Sequence, residues 1–262
     1  MSTTTETQPQ ARYPDLDGRV AVITGGSRGI GAATARALAA NGAAVAIIAR
    51  DQGPLTALAE AIQAQGGRAL SVQADCTVQV ELEQAARTIG ERLGAPDILA
   101  AFAGGQGAPV ATVQETVAHW REVIDANLTT TFLTVRAFLP EMLEHRRGAI
   151  ITMSSSAARQ AARTNAAYAV AKAGVIAFTR QLASETAREG IRVNCIAPAS
   201  TENERMRTAM SEQQRQQLAA SFPLGRIAQP NDIAQAAVFL ASDAASWITG
   251  ITVDVAGGKI ML

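Results

Sequence analysis

The chain has 262 residues, of which 48% are hydrophobic, and its 23 basic and 23 acidic residues give a formal net charge of zero. This length fits one α/β domain with a sizeable core, and the charge balance argues against binding to nucleic acid or an anionic membrane. Cys76 and Cys195 are far apart, which argues against a disulfide framework and a zinc site. His119 and His145 lack ligand-like neighbours, so we expect solvated helix residues and no metal.

The N-terminal sequence is polar and predicts no targeting or membrane segment. No stretch approaches the roughly 18 apolar residues that a membrane span needs. MSTTTETQPQ also lacks the charged and then apolar pattern of a signal peptide. We therefore predict a disordered leader over residues 1–15, a single domain over residues 16–262 without linker or repeat, and a cytoplasmic location.

Apolar strands and helical patterns alternate along the rest of the chain. The predicted strands cover residues 20–24, 44–49, 69–74, 98–103, 149–154, 192–197 and 252–255. The predicted helices cover residues 30–41, 54–65, 78–93, 115–144, 166–188 and 232–242, with a break near Asn127 or Pro140 as an open alternative. This alternation predicts an α/β fold with a doubly wound, mostly parallel sheet and helices on both faces. Ligands of such sheets bind beyond the carboxyl ends of the strands.

The sequence VAVITGGSRGIG at residues 20–31 predicts a buried strand, a glycine turn and the start of a helix. Gly25, Gly29 and Gly31 let the backbone turn sharply, approach a ligand and pack helix against strand. The free N–H groups of the helix N-terminus then favour a phosphate. A turn that merely closes the connection is the alternative, but the flanking strand and helix favour a dinucleotide. Its predicted contacts in this turn also include Ser27, Arg28 and Ile30.

The end of the second strand indicates which dinucleotide is preferred. Ala49 stands where a site that prefers NAD commonly has a carboxylate, and Arg50 follows it. Arg50 and Arg28 suit a 2′-phosphate, because guanidinium groups pair bidentately with it. Asp51 could instead neutralise Arg50 as a surface pair. We therefore predict NADP(H) as the preferred cofactor, with NAD(H) as the alternative.

Residues after the third and fourth strands are further cofactor candidates. Asp75 can accept a hydrogen bond from an adenine amino group, with Cys76 beside it, although a helix N-cap before Val78 is the alternative. Ala103 and Gly104 would let the backbone lie against a ribose, although a plain turn explains them too.

Tyr168 and Lys172 lie at positions i and i+4 of a predicted helix, with Ser155 13 residues before the tyrosine. This spacing places phenol and ammonium on one helix face. A tyrosine has a pKa of about 10, and a neighbouring cation lowers it. Tyr168 thus becomes a candidate general acid–base. An exposed helix face is the alternative, but the position after the fifth strand favours catalysis.

These motifs together resemble those of the classical short-chain dehydrogenase/reductase family, and the resemblance runs from residue 16 to residue 258. It implies a single Rossmann-type domain with seven parallel strands, a homotetramer, and hydride transfer between nicotinamide and a carbonyl or alcohol carbon. The matching motifs are TGGSRGIG at residues 24–31, Asp75, Asn127 in DANLTTTF, the serine in ITMSSSAA, YAVAK at residues 168–172, and NCIAP at residues 194–198.

The resemblance also implies catalytic roles. Ser155 would hydrogen-bond the substrate carbonyl, and Tyr168 would protonate its oxygen. Lys172 would hold the nicotinamide ribose and lower the pKa of the tyrosine. Asn127 would hold a water that links Lys172 to solvent. Ser155 is chosen over Ser154 and Ser156 because 13 residues is the family's usual interval and strand alternation turns its neighbours away.

The chain departs from the family pattern at several cofactor positions. Residues 101–104 read AFAG where the family usually has NNAG, which places Phe102 near the cofactor. After Pro198 the usual glycine is Ala199, and Asn203 replaces the expected threonine, although its amide can still hydrogen-bond the carboxamide. Pro198, Ala199 and Asn203 remain predicted cofactor contacts, as do Asn127, Tyr168 and Lys172.

The substrate is predicted less directly. Residues 199–222 are polar and helix-prone, as a mobile lid would be, and a solvated surface excursion is the alternative. Gln106 and Gln160 are candidate substrate contacts beside Ser155 and Tyr168. Arg159 and Arg163 flank the same site, and surface exposure is the alternative for all four flanking residues.

The predicted activity is NADPH-dependent reduction of a ketone to a secondary alcohol. The chain resembles the 3-oxoacyl-acyl-carrier-protein reductase type, but of the two basic residues that dock the acidic carrier only Arg146 is present, and Glu189 occupies the other position. A carboxylate there would repel the carrier. Dehydrogenation of a sugar or other secondary alcohol is therefore the alternative. A non-catalytic dinucleotide-binding sensor or scaffold is the alternative from another class.

Overall fold

A computed structural model of the chain describes residues 11–261, with only the backbone described at position 205. These residues form a sheet of seven parallel strands in the order β3-β2-β1-β4-β5-β6-β7. The strands are β1 (Val20–Thr24), β2 (Ala44–Ala49), β3 (Arg68–Gln73), β4 (Ile98–Ala101), β5 (Gly148–Met153), β6 (Ile191–Pro198) and β7 (Thr252–Val255). The helices are α1 (Gly29–Ala40), α2 (Gln52–Gln63), α3 (Gln79–Leu93), α4 (Val117–Ile124), α5 (Thr130–Glu144), α6 (Ala166–Thr186), α7 (Glu204–Ala209), α8 (Glu212–Ala220) and α9 (Pro230–Ala241).

Both faces of the sheet are covered by helices, which confirms the predicted doubly wound α/β fold. All residues of β1 are buried, as expected for a parallel strand between two helical layers. Ile23 belongs to one core cluster with Leu38 of α1. Its neighbour Val22 belongs to a second cluster with Leu82 of α3 and Phe138 of α5. Successive residues of one strand thus anchor opposite layers, because strand side chains alternate between faces.

The strand order reverses at β1, which lies between β2 and β4. The connections after β1 and β4 therefore run to opposite faces of the sheet and leave a crevice beyond their carboxyl ends. The predicted bounds of β1, β2 and β7 are confirmed. The predicted strand 98–103 instead ends at Ala101, because the amides of Phe102 and Ala103 bind the Thr24 hydroxyl.

The predicted helix 115–144 is divided into α4, a π-helical turn (Asp125–Thr129) and α5. The irregularity therefore lies at Asn127, the first of the two expected positions, and π turns are frequent at functional sites. Pro140 does not break α5. It lies on the exposed face of that helix, where water can bind the carbonyl that a proline leaves unpaired.

The predicted N-terminal leader agrees only in part with the structure. Residues 1–10 of the predicted leader lie outside the described residues. Residues 11–15 of that leader pack onto the domain, since the Tyr13 amide donates to Asn41 Oδ1 at 2.8 Å and a 3-10 turn (Pro14–Leu16) buries Leu16 completely. Among residues 11–261, no helix is long and apolar enough to cross a bilayer.

The predicted lid, residues 199–222, contains the short helices α7 and α8 between β6 and the buried ring of Phe222. Asn203 caps α7 and Ser211 caps α8 through their side chains. Helix α8 buries no apolar face, since none of its residues is buried. A movement of this segment over the site stays a prediction.

We expect Gly31→Ala to lower the free energy of unfolding by about 2 kcal/mol, because a Cβ there would lie 2.3 Å from the Gly25 carbonyl oxygen and backbone cannot yield as a side chain does. Urea denaturation measures the change. Gly53→Ala is the matched control, since a Cβ at that helical position meets no described atom within 4 Å and stability should hold or rise slightly. Equal midpoints for both variants would contradict the close packing of α1 on the turn.

Candidate active site

The end of β1 is locked to the end of β4. Thr24 Oγ1 accepts hydrogen bonds from the amides of Phe102 and Ala103 at 3.1 and 3.3 Å. Gly25 has φ +63°, and a Cβ there would lie 3.0 Å from backbone atoms of both residues. The sequence reasoning missed the structural role of Thr24, although a buried hydroxyl at a strand end must find partners.

The start of α1 is open toward the crevice. Gly29 has φ +53°, and no described atom lies within 4 Å of the position of a Cβ there. The N-terminal amides of α1 follow directly, and Arg28 precedes them as an N-cap without a side-chain hydrogen bond to the helix. Gly29, Ile30 and Gly31 thus form the predicted backbone cradle, which a phosphate fits.

A cavity of about 500 Å³ lies beyond the carboxyl ends of β1 to β4. It brings together most residues predicted to contact the adenosine half of a cofactor. Phe102 does not line this cavity, because it is only 9% exposed and belongs to the core cluster that includes Leu38 of α1, so its expected nearness to the cofactor stays a prediction. The predicted residues that line the cavity are Gly25, Ser27, Arg28, Arg50, Asp75, Cys76, Ala103 and Gly104.

The two arginines of the predicted phosphate site differ in their contacts. Arg28 pairs with Asp51 at 3.2 Å, and both side chains are 64% exposed. Within residues 11–261, the Arg50 guanidinium makes no hydrogen bond or ion pair, and only the Arg50 carbonyl is bonded, to the Gln73 amide group. The expected alternative, Asp51 neutralising Arg50, is therefore wrong because Asp51 turns to the glycine loop instead. Of these two arginines, Arg50 is therefore the one whose guanidinium is more available to bind a phosphate.

Asp75 forms a turn with Thr77 and does not cap a helix. Its Oδ1 accepts from the Thr77 amide at 2.9 Å and from the Thr77 hydroxyl at 2.8 Å. The backbone bond from Thr77 is the main reason that the pKa of Asp75 is lowered. The N-cap of α3 is Val78, so the capping alternative is wrong. Cys76 is buried, which raises the pKa of its thiol to about 12 and makes it a neutral wall residue.

Asn127 is fully buried in the π turn and holds the backbone after β4. Its Oδ1 accepts from the Gly105 amide at 3.1 Å, and its Nδ2 donates to the carbonyls of Gly105 and Val123 at 2.8 and 2.9 Å. Both N–H donors are therefore in use. A water relay through this side chain would have to bind Oδ1, so that implied role stays a prediction.

Helix α6 brings Tyr168 and Lys172 together. Lys172 Nζ lies 5.8 Å from the centroid of the Tyr168 ring and donates to the Met153 carbonyl at 2.9 Å. A Cβ on Gly104 would lie 3.3 Å from the same Nζ, so Lys172 also reaches the edge of the cavity. Ser155, just after β5, interacts through its hydroxyl with Tyr168. Three of the four predicted catalytic side chains, those of Ser155, Tyr168 and Lys172, therefore form one cluster.

The pKa of Tyr168 differs from the expectation. Burial raises it above the usual value, and hydrogen bonding with Ser155 opposes the rise. The net shift is therefore upward, against the expected lowering. Lys172, whose own pKa desolvation lowers to about 8, donates its hydrogen bond to Met153 and not to the phenol. The phenol is consequently a proton donor at neutral pH.

Of the two serines beside Ser155, Ser154 is oriented as strand alternation predicts. Its hydroxyl is buried and donates to the Lys172 carbonyl at 2.7 Å. Ser155 caps the following 3-10 turn by accepting from the Ala157 amide at 3.2 Å and remains half-buried. Ser156 begins that turn. The hydroxyl available beside Tyr168 is thus that of Ser155.

The remaining predicted cofactor and substrate contacts lie at several separate places around the site. Pro198 ends β6 and Ala199 follows it, whereas the Asn203 side chain accepts from the Met206 amide as the N-cap of α7. Gln106 and Gln160 are exposed.

The two arginines predicted to flank the site, Arg159 and Arg163, differ in their exposure to solvent. Arg163 is exposed, which was its open alternative. Arg159 is not exposed, because Asp254 of β7 accepts from its Nε at 3.0 Å and from its Nη2 at 2.8 Å, and its contact with a substrate stays a prediction. Both side chains of this pair are only 16% exposed.

His119 is not simply a solvated residue. Its Nδ1 lies 2.5 Å from Oε1 of Glu115, whose side chain is 6% exposed, and its ring lines the cavity. The sequence offered only the i, i+4 spacing as a signal for this pair. Within residues 11–261 there is no group of three or more histidine, cysteine or acidic residues arranged to hold a metal.

Known proteins match nearly the whole chain. A family model described as enoyl-(acyl carrier protein) reductase matches residues 25–259. The 3-oxoacyl-acyl-carrier-protein reductases of Vibrio harveyi and Escherichia coli strain K12 are each 37% identical to it over 249 residues, covering 95% of this chain and 100% of each relative. The chain belongs to the short-chain dehydrogenase/reductase family.

Solved structures of such reductases agree with this membership. A 3-oxoacyl-acyl-carrier-protein reductase from Brucella melitensis is 33% identical with a TM-score of 0.90, over 100% of this chain and 99% of that chain. Another structure of a reductase from that organism, with bound NAD, has a TM-score of 0.88 at 33% identity, over the same shares of the two chains. This short-chain dehydrogenase/reductase is an oxidoreductase with a nicotinamide dinucleotide cofactor, which the open cradle at Gly29 and the cavity beside Arg50 fit.

Between about pH 8 and 10.5, we expect the free energy of unfolding of the unmodified protein to rise with pH relative to that of the Lys172→Met variant. The pKa of Lys172 is about 8 when folded, against 10.5 when unfolded, so the unfolded chain binds more protons in this window and its formation becomes less favourable as pH rises. The shift corresponds to roughly 3 kcal/mol. Urea denaturation at several pH values measures it.

Lys259→Met is the control for that series, because Lys259 is exposed. Its stability should follow that of the unmodified protein across the same pH range. Parallel stability curves for the unmodified protein and Lys172→Met would contradict the burial of a neutralisable ammonium.

Proposed function

We propose that the protein reduces a ketone, a 3-oxoacyl or related carbonyl compound, to a secondary alcohol with NADPH. The observation that carries this proposal is the cluster of Ser155, Tyr168 and Lys172, with Nζ 5.8 Å from the phenol ring at the edge of the dinucleotide crevice. A protein that only binds a dinucleotide would need the glycine turn and Arg50, but not this cluster. The cluster therefore favours an enzyme over a sensor or scaffold.

Each residue of the cluster has a distinct task in this proposal. A reduced nicotinamide, when bound, would supply the hydride that the carbonyl carbon accepts. Ser155 donates a hydrogen bond to the carbonyl oxygen, and Tyr168, protonated because burial raises its pKa, delivers a proton to that oxygen. The Lys172 ammonium, mostly charged at pH 7 with a pKa of about 8, stabilises the phenolate that remains.

The preference for NADPH rests on Arg50. Its guanidinium lines the cavity at the end of β2 and is close enough to contribute to the lowered pKa of Asp75 and to oppose the rise in the pKa of Cys76. Arg28 is held by Asp51 at 3.2 Å, an exposed pair that a 2′-phosphate can replace at little cost. The last residue of β2 is Ala49, which has no carboxylate to bind a ribose hydroxyl.

The substrate class has two candidates. The named relatives are 3-oxoacyl-acyl-carrier-protein reductases, which supports a 3-oxoacyl substrate. Arg146, the basic residue that would dock an acidic carrier, instead binds Glu189 at 2.5 Å, which favours a smaller ketone or a sugar or other secondary alcohol. Comparing an acetoacetyl group on the carrier with a free 3-oxoester separates them, since only the first needs a docking surface.

The homotetramer implied by the resemblance is also a proposal. Phe132 of α5 and Val170 of α6 are 46% and 49% exposed, and the Phe132 ring packs edge-on against Phe178 at 6.3 Å. An apolar face on these two helices suits a contact between copies of the chain. Light scattering coupled to gel filtration measures the assembly.

We expect Tyr168→Phe to lower turnover by at least about 10³-fold, because the general acid is lost, while the Kd for NADPH changes less than twofold. Turnover of a panel of ketones and 3-oxoesters is followed by NADPH absorbance, and NADPH binding by calorimetry. If the unmodified protein turns over none of them but binds NADPH, the sensor alternative gains. If the variant retains turnover, Tyr168 is not the acid.

We expect Arg50→Ala to raise the Kd for NADPH by about tenfold or more, because charge-assisted hydrogen bonds to a phosphate are lost, and to leave the Kd for NADH nearly unchanged. Fluorescence titration measures both. Arg87→Ala, an exposed arginine on α3, is the control and should change neither value. Equal losses for both cofactors in Arg50→Ala would contradict the phosphate assignment.

A further inference from the structure

A short glycine-rich segment follows β4 and leads toward the candidate catalytic cluster. We call residues 104–108, with the sequence GGQGA, the strap. Its first part is held by Asn127, which bonds both the amide and the carbonyl of Gly105. The strap also carries the exposed Gln106, a predicted substrate contact. The position of this segment therefore bears on how a substrate is held.

Asn165 holds the second part of the strap. It is fully buried, and its Nδ2 donates to the carbonyls of Gln106 and Ala108 at 2.9 and 3.0 Å. Its Oδ1 accepts from the Tyr168 amide at 2.7 Å as the N-cap of α6. One side chain thus joins the strap to the first turn of the helix that carries Tyr168.

The backbone of the strap approaches Asn165 closely at Gly107. Gly107 lies between the two bonded carbonyls with φ +67°, a conformation that side chains other than glycine rarely adopt. A Cβ there would lie 3.4 Å from Asn165 Nδ2 and 3.5 Å from His119 Nε2. The backbone of the strap therefore passes close over the asparagine amide, with the His119 ring also beside it.

The chemistry of Asn165 is hard to replace. An N-cap needs a side-chain acceptor, which serine and aspartate also supply. The strap needs two N–H donors on the same side chain, which an amide has and those residues lack. An amide of this length meets both needs at once, so the helix cap and the strap tether depend on one residue.

We propose that Asn165 is a positioning residue that fixes the strap relative to Tyr168 and so determines how tightly the substrate binds. This inference rests on the proposed function for its kinetic part only. The link predicts that freeing the strap raises KM while leaving the proton transfer from Tyr168 intact, because Tyr168 and Lys172 stay on an unchanged helix.

The test uses Asn165→Ser, which keeps an N-cap acceptor and removes the tether. Hydrogen exchange of the full-length protein, read by mass spectrometry, should show exchange about tenfold faster in peptides covering residues 104–111, with exchange in α6 unchanged. With a ketone that the unmodified protein reduces, KM should rise about fivefold or more, kcat should stay within about twofold, and the pH profile of kcat should not shift.

A second variant, Gly107→Ala, keeps Asn165 and its cap but strains the strap where it crosses the amide. It should reproduce the faster exchange and the higher KM, and it replaces Asn165→Ser if that variant does not fold. Unchanged exchange in residues 104–111 in the folded variants would overturn the proposal. So would a loss confined to kcat. The exchange measurement needs no substrate, so it still decides on the tether if the proposed reductase activity fails.

Discussion

The buried ammonium of Lys172 is the constraint on which the candidate site depends. Its side chain is only 4% exposed, and burying a charge is costly unless it is paired or hydrogen-bonded. The Met153 carbonyl accepts from it at the end of β5, and Ser154 in turn donates to the Lys172 backbone. Gly104 leaves room for the same ammonium from the β4 side. Strand β5, helix α6 and the turn after β4 are thus placed relative to one another around a single cation.

Much of the fold follows from local sequence patterns. The apolar runs that form β1 and β2 and the glycine spacing after Thr24 predict the parallel sheet and the crevice, because strands buried on both faces are apolar throughout and glycine alone lacks a Cβ. The π turn at Asn127 was foreseen only as a break. Its form depends on hydrogen bonds to Gly105, which is distant in sequence and therefore not visible in a local pattern.

The site was predicted less completely than the fold because side-chain partners are chosen by tertiary packing. The i, i+4 spacing correctly places Lys172 near Tyr168, but spacing carries no information on desolvation, which raises the pKa of the phenol. Likewise, an arginine after a strand signals charge without naming its partner, so Arg159 gave no sign of Asp254. Asn165 resembles any helix cap until the strap is seen against it.

The bidentate contact between Arg159 and Asp254 has a consequence for the far end of the chain. Arg159 lies four residues after Ser155, whereas Asp254 belongs to β7, one of the two edge strands of the sheet. An ion pair therefore links β7 to the turn that follows Ser155, so this strand does more than form one edge of the sheet. We therefore expect a truncation or a bulky fusion at the C-terminus to disturb the position of Ser155, the predicted catalytic serine, even though no residue from β7 to residue 261 lines the crevice cavity.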